Sequence, residues 1–245
     1  LKLQVGFMII GNGLLANCLK GYDRSDILFL ASGVSDSKCE DSAEFERERM
    51  LLVDQINRNQ EKLIVYFSTC SIHDPAMSDN MYVRRKLEYE ALVQSQCQHY
   101  LIVRVSNLVG KGGNPNNIFN FFLNSVYEGK SFRLWANAKR NLILTEDFAR
   151  ILNDILQNRL EGKANSVIHI FNPRYYTALE IVEGIESFTG KKAIFELVDK
   201  ASEAYVIDSL AETEFNHLGI DTENYLTRIL ETHFMEYKSA ESLAS

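Results

Sequence analysis

Four short apolar runs, rich in β-branched residues, recur through the first 107 residues: KLQVGFMII (2–10), DILFLASGV (26–34), KLIVYFS (62–68) and HYLIVRVS (99–106). Between them lie LLANCLK (14–20), DSAEFERERMLLVDQINRN (41–59) and YVRRKLEYEALVQS (82–95), which read as helices. In the long middle segment, Phe45, Leu52 and Ile56 mark an apolar face. A strand that is apolar on both sides has no solvated face. Such strands, alternating with helices, require an α/β fold with a parallel sheet covered on both faces.

After Asn107 the texture changes. GKGGNPNN (110–117) reads as a loop. IFNFFLNSVYEG (118–129), EDFARILNDILQ (146–157) and TALEIVEGIESFTG (177–190) read as helices. The last of these opens on Thr177 with Glu180 three residues on and closes on glycine, the expected start and stop signals. SFRLW (131–135), RNLILT (140–145) and VIHIFN (167–172) read as short strands, and the tail from Ala211 as two helical pieces. No internal repeat or low-complexity linker separates the halves. The expected division is a core over 1–107, with the remaining core elements and a small α+β cap over 108–245, packed as one unit.

Composition narrows the function classes. The chain has 245 residues, 46 % hydrophobic and 24 % charged, enough to bury a core without disulfides. Cys18, Cys39, Cys70 and Cys97 are scattered with no C-x-x-C pair, so no metal is expected and the thiols suit a reducing, cytoplasmic setting. A net charge of −7 without a basic tract argues against a nucleic-acid partner. The opening apolar run is too short for a bilayer and no cleavage site follows it, so neither membrane insertion nor a targeting segment is expected.

IIGNGLLA places G-x-G-x-x-A between a strand and a helix. Gly11 suits the tight turn, Gly13 lets the backbone approach a phosphate, and the small third residue allows close packing. A helix N-terminus then faces the anion. The pattern is weak alone but favours a dinucleotide over a plain turn. A ribose carboxylate should follow about 20 residues on, at the end of a strand. Here that region is FLASG, and Asp23 and Asp26 precede the strand instead of ending it. No arginine for a 2′-phosphate is evident either.

Downstream, VYFSTCSIHD leads to YVRRK. On a helix Tyr82 and Lys86 are one turn apart on one face. A free phenol, with a pKa of about 10, is a poor base at neutral pH. A nearby ammonium stabilises the phenolate, and a hydroxyl at the preceding strand end could bind the same substrate oxygen. Tyr82 would move the proton, Thr69 orient and Lys86 tune, which suits alcohol–carbonyl interconversion beside a hydride carrier. The plain alternative is a surface helix, where Tyr and Lys four apart are common.

In order along nearly the whole chain these segments resemble the extended short-chain dehydrogenase/reductase superfamily, in its NAD-dependent epimerase/dehydratase branch acting on nucleotide sugars. MIIGNGLLA resembles its glycine loop, LFLASGVS its ribose-lining strand, and YFSTCSIHD its hydroxyl-bearing strand end. YVRRK resembles Tyr-x-x-x-Lys. RVSNLVG, RNLILTEDFARIL, IFNPRYYTALEIVEGIESFTGKK and HLGI resemble later segments. The resemblance implies a Rossmann-like nucleotide-binding core over 1–107 and a substrate-binding region beyond it. It implies catalytic Thr69, Tyr82 and Lys86. NAD or NADP would lie on Gly11, Gly13, Leu14, Ala31, Ser32, Ser68 and Lys86, and the nucleotide sugar on Asn107 and Arg140. It further implies surface-polysaccharide synthesis and a homodimer.

Three departures accompany the likeness. The usual second and third strands and the helix between them are missing, so cofactor binding is expected to be weakened or lost. Cys70 and Ser71 stand where the dehydratases carry Asp-Glu, which disfavours loss of water. His73 replaces a frequent tyrosine, and reads as a proton shuttle or a solvated loop residue. The expected activity is that of an epimerase or ketoreductase, and the alternative is a degenerate member that binds or scaffolds. Among lesser candidates, Glu46 to Arg49 read as a solvated helix face, and His99, His169, His217 and His233 as structural. Phe119, Phe121, Phe122 and Leu123 read as a core face or lid, Cys70 as small packing, and Lys111 and Arg133 as aids to Arg140 or surface charge.

Overall fold

In chain order, the elements are β1 (Ile9–Ile10), α1 (Leu14–Leu19), β2 (Ile27–Leu30), α2 (Ser42–Arg58), β3 (Leu63–Thr69), α3 (Met81–Gln96), β4 (Tyr100–Val105) and β5 (Asn107–Val109). They continue with α4 (Ile118–Glu128), β6 (Ser131–Leu134), β7 (Lys139–Arg140), β8 (Leu142–Leu144), α5 (Thr145–Asn158), β9 (Ser166–Ile170), β10 (Tyr176–Thr177), α6 (Ala178–Thr189), β11 (Ile194–Leu197) and α7 (Ala211–His217). Residues 225–233 are also helical. The computed structural model describes residues 8–22, 24–111, 117–135, 137–161, 163–198 and 211–233. The chain divides into two compact units, Leu1–Val105 with Ala149–Ile170, and Ser106–Phe148 with Phe171–Ser245.

The first unit is built on a parallel five-stranded sheet in the order β1-β2-β3-β4-β9. Both faces are covered, as the apolar runs require. Leu28, Leu30, Ile64, Tyr66 and Ile102 pack with Leu52 and Ile56 of α2 and Tyr89 and Val93 of α3. Residues of the other parity, Phe29, Val65, Leu101 and Val103, are just as deeply buried. Arg24, in the turn after α1, donates to the carbonyl of Leu156 in α5 at 3.4 Å.

The strand order carries the departure seen in the sequence. A doubly wound dinucleotide sheet runs 3-2-1-4-5-6 and reverses beside its first strand. Here β1 is the edge strand among the described residues, and the order follows the chain without reversal. Among the described residues, the six-residue α1 and a 3-10 turn, Lys20–Tyr22, are the helical elements between it and β2.

Some boundaries differ from the sequence reading. Of the expected strand 2–10, residues 9–10 are strand and 1–7 lie outside the described residues, as do 112–116 of the expected loop. The strand expected over 26–34 ends at Leu30, because Val34 turns its N–H to the Glu48 carboxylate instead of a neighbouring strand. The strand expected over 140–145 is two strands, with β7 paired to β10 and β8 to β5. Asn141 sits between them and bonds Asn172 through both ends of its amide. β5, β10 and β11 were not foreseen, being two to four residues long with too little periodicity to register.

Among the described residues the second unit has three two-stranded ladders, β5–β8, β7–β10 and β6–β11. Phe119, Phe122, Phe215, Tyr225 and Ile229 are buried in it. Asp147, wholly buried, accepts from Tyr225 at 2.7 Å and Arg228 at 2.9 Å, and the Tyr225 hydroxyl accepts the Leu144 N–H. No helix among the described residues is long and apolar enough to cross a membrane. None of their His, Cys, Asp and Glu side chains gather in threes that could hold a metal.

Candidate active site

β3 delivers Ser68 and Thr69 to its carboxyl end, where both are buried. The Thr69 hydroxyl oxygen accepts the Ser71 N–H at 3.1 Å, starting the 3-10 turn Cys70–His73. Its proton remains available to donate. The Ser68 hydroxyl is buried without a hydrogen-bond partner among the described residues. A second turn, Pro75–Met77, leads to Asn80, whose side chain caps α3 by accepting the Val83 N–H.

Tyr82 lies in the first turn of α3, only 9 % exposed, packed with Phe45, Val83, Val34 and Ile72. Lys86 follows one turn later, 5 % exposed. Its ammonium is 5.8 Å from the Tyr82 ring centroid and 5.4 Å from that of Tyr66. It is also bonded to a carboxylate, with Nζ 2.7 Å from Oε1 of Glu48.

Glu48 corrects the sequence reading. Its neighbours Glu46, Arg47 and Arg49 are exposed, and Arg49 pairs with Glu46. Glu48 itself is buried, on the stripe Phe45, Glu48, Leu52, Ile56. That spacing of three, four and four could have placed it inside, but its charge argued against burial. Beyond Lys86, Glu48 accepts from the Val34 N–H at 2.8 Å through Oε2, and from the Tyr66 hydroxyl at 3.3 Å. Burial first, then the Glu48 charge, pushes the Tyr66 phenol well above its ordinary range. A Cβ at Gly33 would stand 2.5 Å from the Glu48 carboxylate, so a larger residue there would displace it.

The glycine loop joins β1 to α1. Gly11 has φ +136°, and a Cβ on it would meet the Ala31 carbonyl oxygen at 2.5 Å. The exits of β1 and β2 are therefore in backbone contact, and the Ala31 N–H donates to Ile10 at 2.8 Å. Gly13 has open space where a Cβ would stand, and Leu14 begins α1. Ala31 and Ser32 are half-buried beyond β2, and Ile10, Leu30, Ser32, Glu48 and Tyr66 share a small cleft. The chain leaves β2 as Ala-Ser-Gly-Val-Ser, without a carboxylate.

The structure assigns Asn107 and Arg140 to the second unit. Asn107 opens β5, and its side-chain and backbone N–H groups both donate to the Asn141 carbonyl, at 2.9 and 3.3 Å. Arg140, half-buried in β7, donates to the Lys139 carbonyl at 2.9 Å. Lys111 is exposed, and Arg133 faces Glu196 at 4.0 Å. In the aromatic run, Phe119, Phe122 and Leu123 are buried and Phe121 is exposed.

His73 is held by protein. Its Nε2 lies 2.8 Å from Nε2 of His169 and 3.3 Å from the Arg104 guanidinium, which grips Glu90 with two bonds. Burial, and secondarily the neighbouring charges, lowers His73 below the ordinary imidazole range and His169 to about 4. No sequence signal links residues 96 positions apart. Cys70 is buried and pushed up to about 12 by that burial, which suits packing and not nucleophilic attack.

Residues 65–215 match the model of the RmlD substrate binding domain. The chain belongs to this family. The RmlD-family stretch contains Thr69, Tyr82, Lys86, Asn107 and Arg140, and begins after the glycine loop. Solved structures agree in fold. UDP-glucuronic acid 4-epimerase from Bacillus cereus, in complex with UDP-glucuronic acid and NAD, is similar with a TM-score of 0.71 and 16 % identity, over 92 % of this chain and 78 % of that one. RMD from Pseudomonas aeruginosa, complexed with NADPH, gives 0.69 and 13 %, over 88 % and 82 %. dTDP-glucose 4,6-dehydratase from Bacillus anthracis str. Ames, in complex with NAD, gives 0.67 and 15 %, over 94 % and 80 %. No curated protein matches the sequence. The resemblance to the short-chain dehydrogenase/reductase superfamily therefore holds, with the parallel sheet it implied.

Proposed function

We propose that this RmlD-family chain is an NAD(P)-dependent enzyme of the short-chain dehydrogenase/reductase type, which epimerises or reduces a nucleotide-linked sugar for surface polysaccharide. The observation that carries the reading is the Thr69, Tyr82, Lys86 set. Thr69 ends β3, and Tyr82 and Lys86 share one face of the helix that follows. In this reading Tyr82 gives or takes the proton of the sugar hydroxyl or ketone, and Thr69 donates to the same oxygen. Lys86 places positive charge near the phenol. Asn107 and Arg140 hold the sugar nucleotide.

The residues present fit part of a nicotinamide dinucleotide. No heavy atom lies within 4 Å of where a Cβ of Gly13 would stand, so a diphosphate could approach the backbone there, and the buried, unpartnered Ser68 hydroxyl offers a bond near Thr69. The dinucleotide would supply hydride transfer when bound. The adenosine end is less well served, since no carboxylate ends β2.

A second reading is a non-catalytic nucleotide-binding or scaffolding protein. The Lys86–Glu48 ion pair favours it, because the ammonium is already bonded to protein.

Turnover of a panel of nucleotide sugars with added NAD or NADP separates the two. Tyr82→Phe keeps the ring and removes the proton donor, so the rate should fall by about a hundred- to ten-thousand-fold with little change in thermal unfolding. Lys86→Met should also slow turnover. Full activity in Tyr82→Phe would defeat the mechanism. A wild-type protein with neither turnover nor bound cofactor would turn the reading towards a scaffold.

A further inference from the structure

Glu48 has no part in the mechanism above, yet it is the best-connected polar group beside the proposed reactive pair. It is 4 % exposed and bonded to Lys86, Val34 and Tyr66, and the bare Cα of Gly33 makes room for it. Other ionisable groups nearby are committed elsewhere or unpaired. Tyr89 of α3 donates to the Phe45 carbonyl at 2.6 Å and is raised to about 12, chiefly by burial. Glu90 is gripped by Arg104, and Arg85 pairs with Glu88 at the surface. Cys39, a free thiol, packs in the Tyr82 cluster.

An ammonium within about 6 Å of a phenol favours the phenolate. Lys86 stands 5.8 Å from the centroid of the Tyr82 ring, but with a carboxylate 2.7 Å from its nitrogen. Two opposite charges that close present mainly a dipole to a third group, and the field at the phenol is correspondingly reduced. We infer that Glu48 is the positioning residue of the Tyr82–Lys86 pair: it fixes the ammonium through the buried ion pair and sets how much of its charge reaches the phenol. Glu48 thereby also links Tyr82 to the segment after β2, through the Val34 N–H. The inference rests on the reading of Tyr82 and Lys86 as the reactive pair, but its test needs no substrate.

The experiment is a spectrophotometric tyrosinate titration of the full chain. The Tyr82 contribution is isolated by subtracting the matching Tyr82→Phe protein. Glu48→Gln keeps the shape and an acceptor for Val34 but removes the negative charge. The Tyr82 phenolate should then form about one pH unit or more below its position in wild type. Adding Lys86→Met to Glu48→Gln should abolish that shift, because the ammonium causes it. A Tyr82 signal at the same pH in wild type and Glu48→Gln would overturn the inference. So would a shift that survives Lys86→Met, which would mark a merely structural role. If Glu48→Gln does not fold, Gly33→Ala displaces the carboxylate without removing it. It should shift the signal the same way by less, and no shift would again overturn the inference. Wild-type inactivity towards every sugar would defeat the proposed enzyme and leave this titration readable.

Discussion

A carboxylate and an ammonium buried together depend on each other. Removing one leaves the other charged in a site that water reaches poorly, at a cost of about 3–5 kcal/mol. Glu48→Ala should therefore lower stability by roughly that amount, measured by urea unfolding. Replacing both partners with apolar residues of similar size, Glu48→Leu with Lys86→Met, should recover most of the loss, since no charge is then stranded. A double variant as unstable as the single one would mean that Glu48 acts through packing or the Val34 bond. Cys70 is the opposite case. It is buried, donates weakly to the Arg104 carbonyl at 3.4 Å, and keeps its proton.

Among the elements, α6 has the most complete ends. The Thr177 side chain accepts the Glu180 N–H while Glu180 accepts the Thr177 N–H, and Gly190 closes the helix at φ +70°. Thr177→Ala should cost about 1 kcal/mol, readable as a lowered midpoint in thermal or urea unfolding. β9 carries a pH dependence. His169 binds its proton at about 4 in the folded chain, against 6.5 ordinarily, with burial the largest cause. The unfolded chain therefore takes up a proton that the folded chain resists. The stability this group contributes is complete above about pH 6.5, declines as pH falls, and stops declining below about pH 4. Urea unfolding across that range should show the decline, and His169→Phe should flatten it relative to wild type. Equal slopes would remove His169 from the account.

For the whole molecule, the sheet edge matters most. A doubly wound sheet has strands beyond its first, and a carboxylate at the end of the second commonly bonds the adenosine ribose. Among the described residues this sheet stops at β1, and the five residues after β2, Ala-Ser-Gly-Val-Ser, carry no carboxylate. The chain should bind nicotinamide dinucleotides weakly and discriminate little between NAD and NADP, because the group that distinguishes the two riboses is absent. Isothermal calorimetry with both cofactors checks this. Tight binding of one with strong rejection of the other would mean that another segment rebuilds the pocket.

Continuous apolar strands such as LIVYFS leave a chain no choice but a sheet covered on both faces, and the sequence by itself determined that. Local chemistry determined more. The Thr177–Glu180 box was legible because capping acts within four residues. The short link between β1 and β2 was legible because helix 14–20 runs almost into the next apolar run. Tyr82 and Lys86 could be put on one helical face from their spacing alone. Only the tertiary structure decided what Lys86 touches. Glu48 lies 38 residues away, in a run of alternating charges that locally reads as solvated. Whether such a carboxylate turns inward depends on an ammonium from another helix and an N–H from a loop being there to meet it. The His73–His169 contact is of the same kind, made between the turn that follows β3 and a residue of β9, which the sheet places on the far side of β4. Periodicity and capping are short-range and can be read from neighbours. Charge pairing between two helices distant in the sequence is long-range, and exists only once the chain has folded.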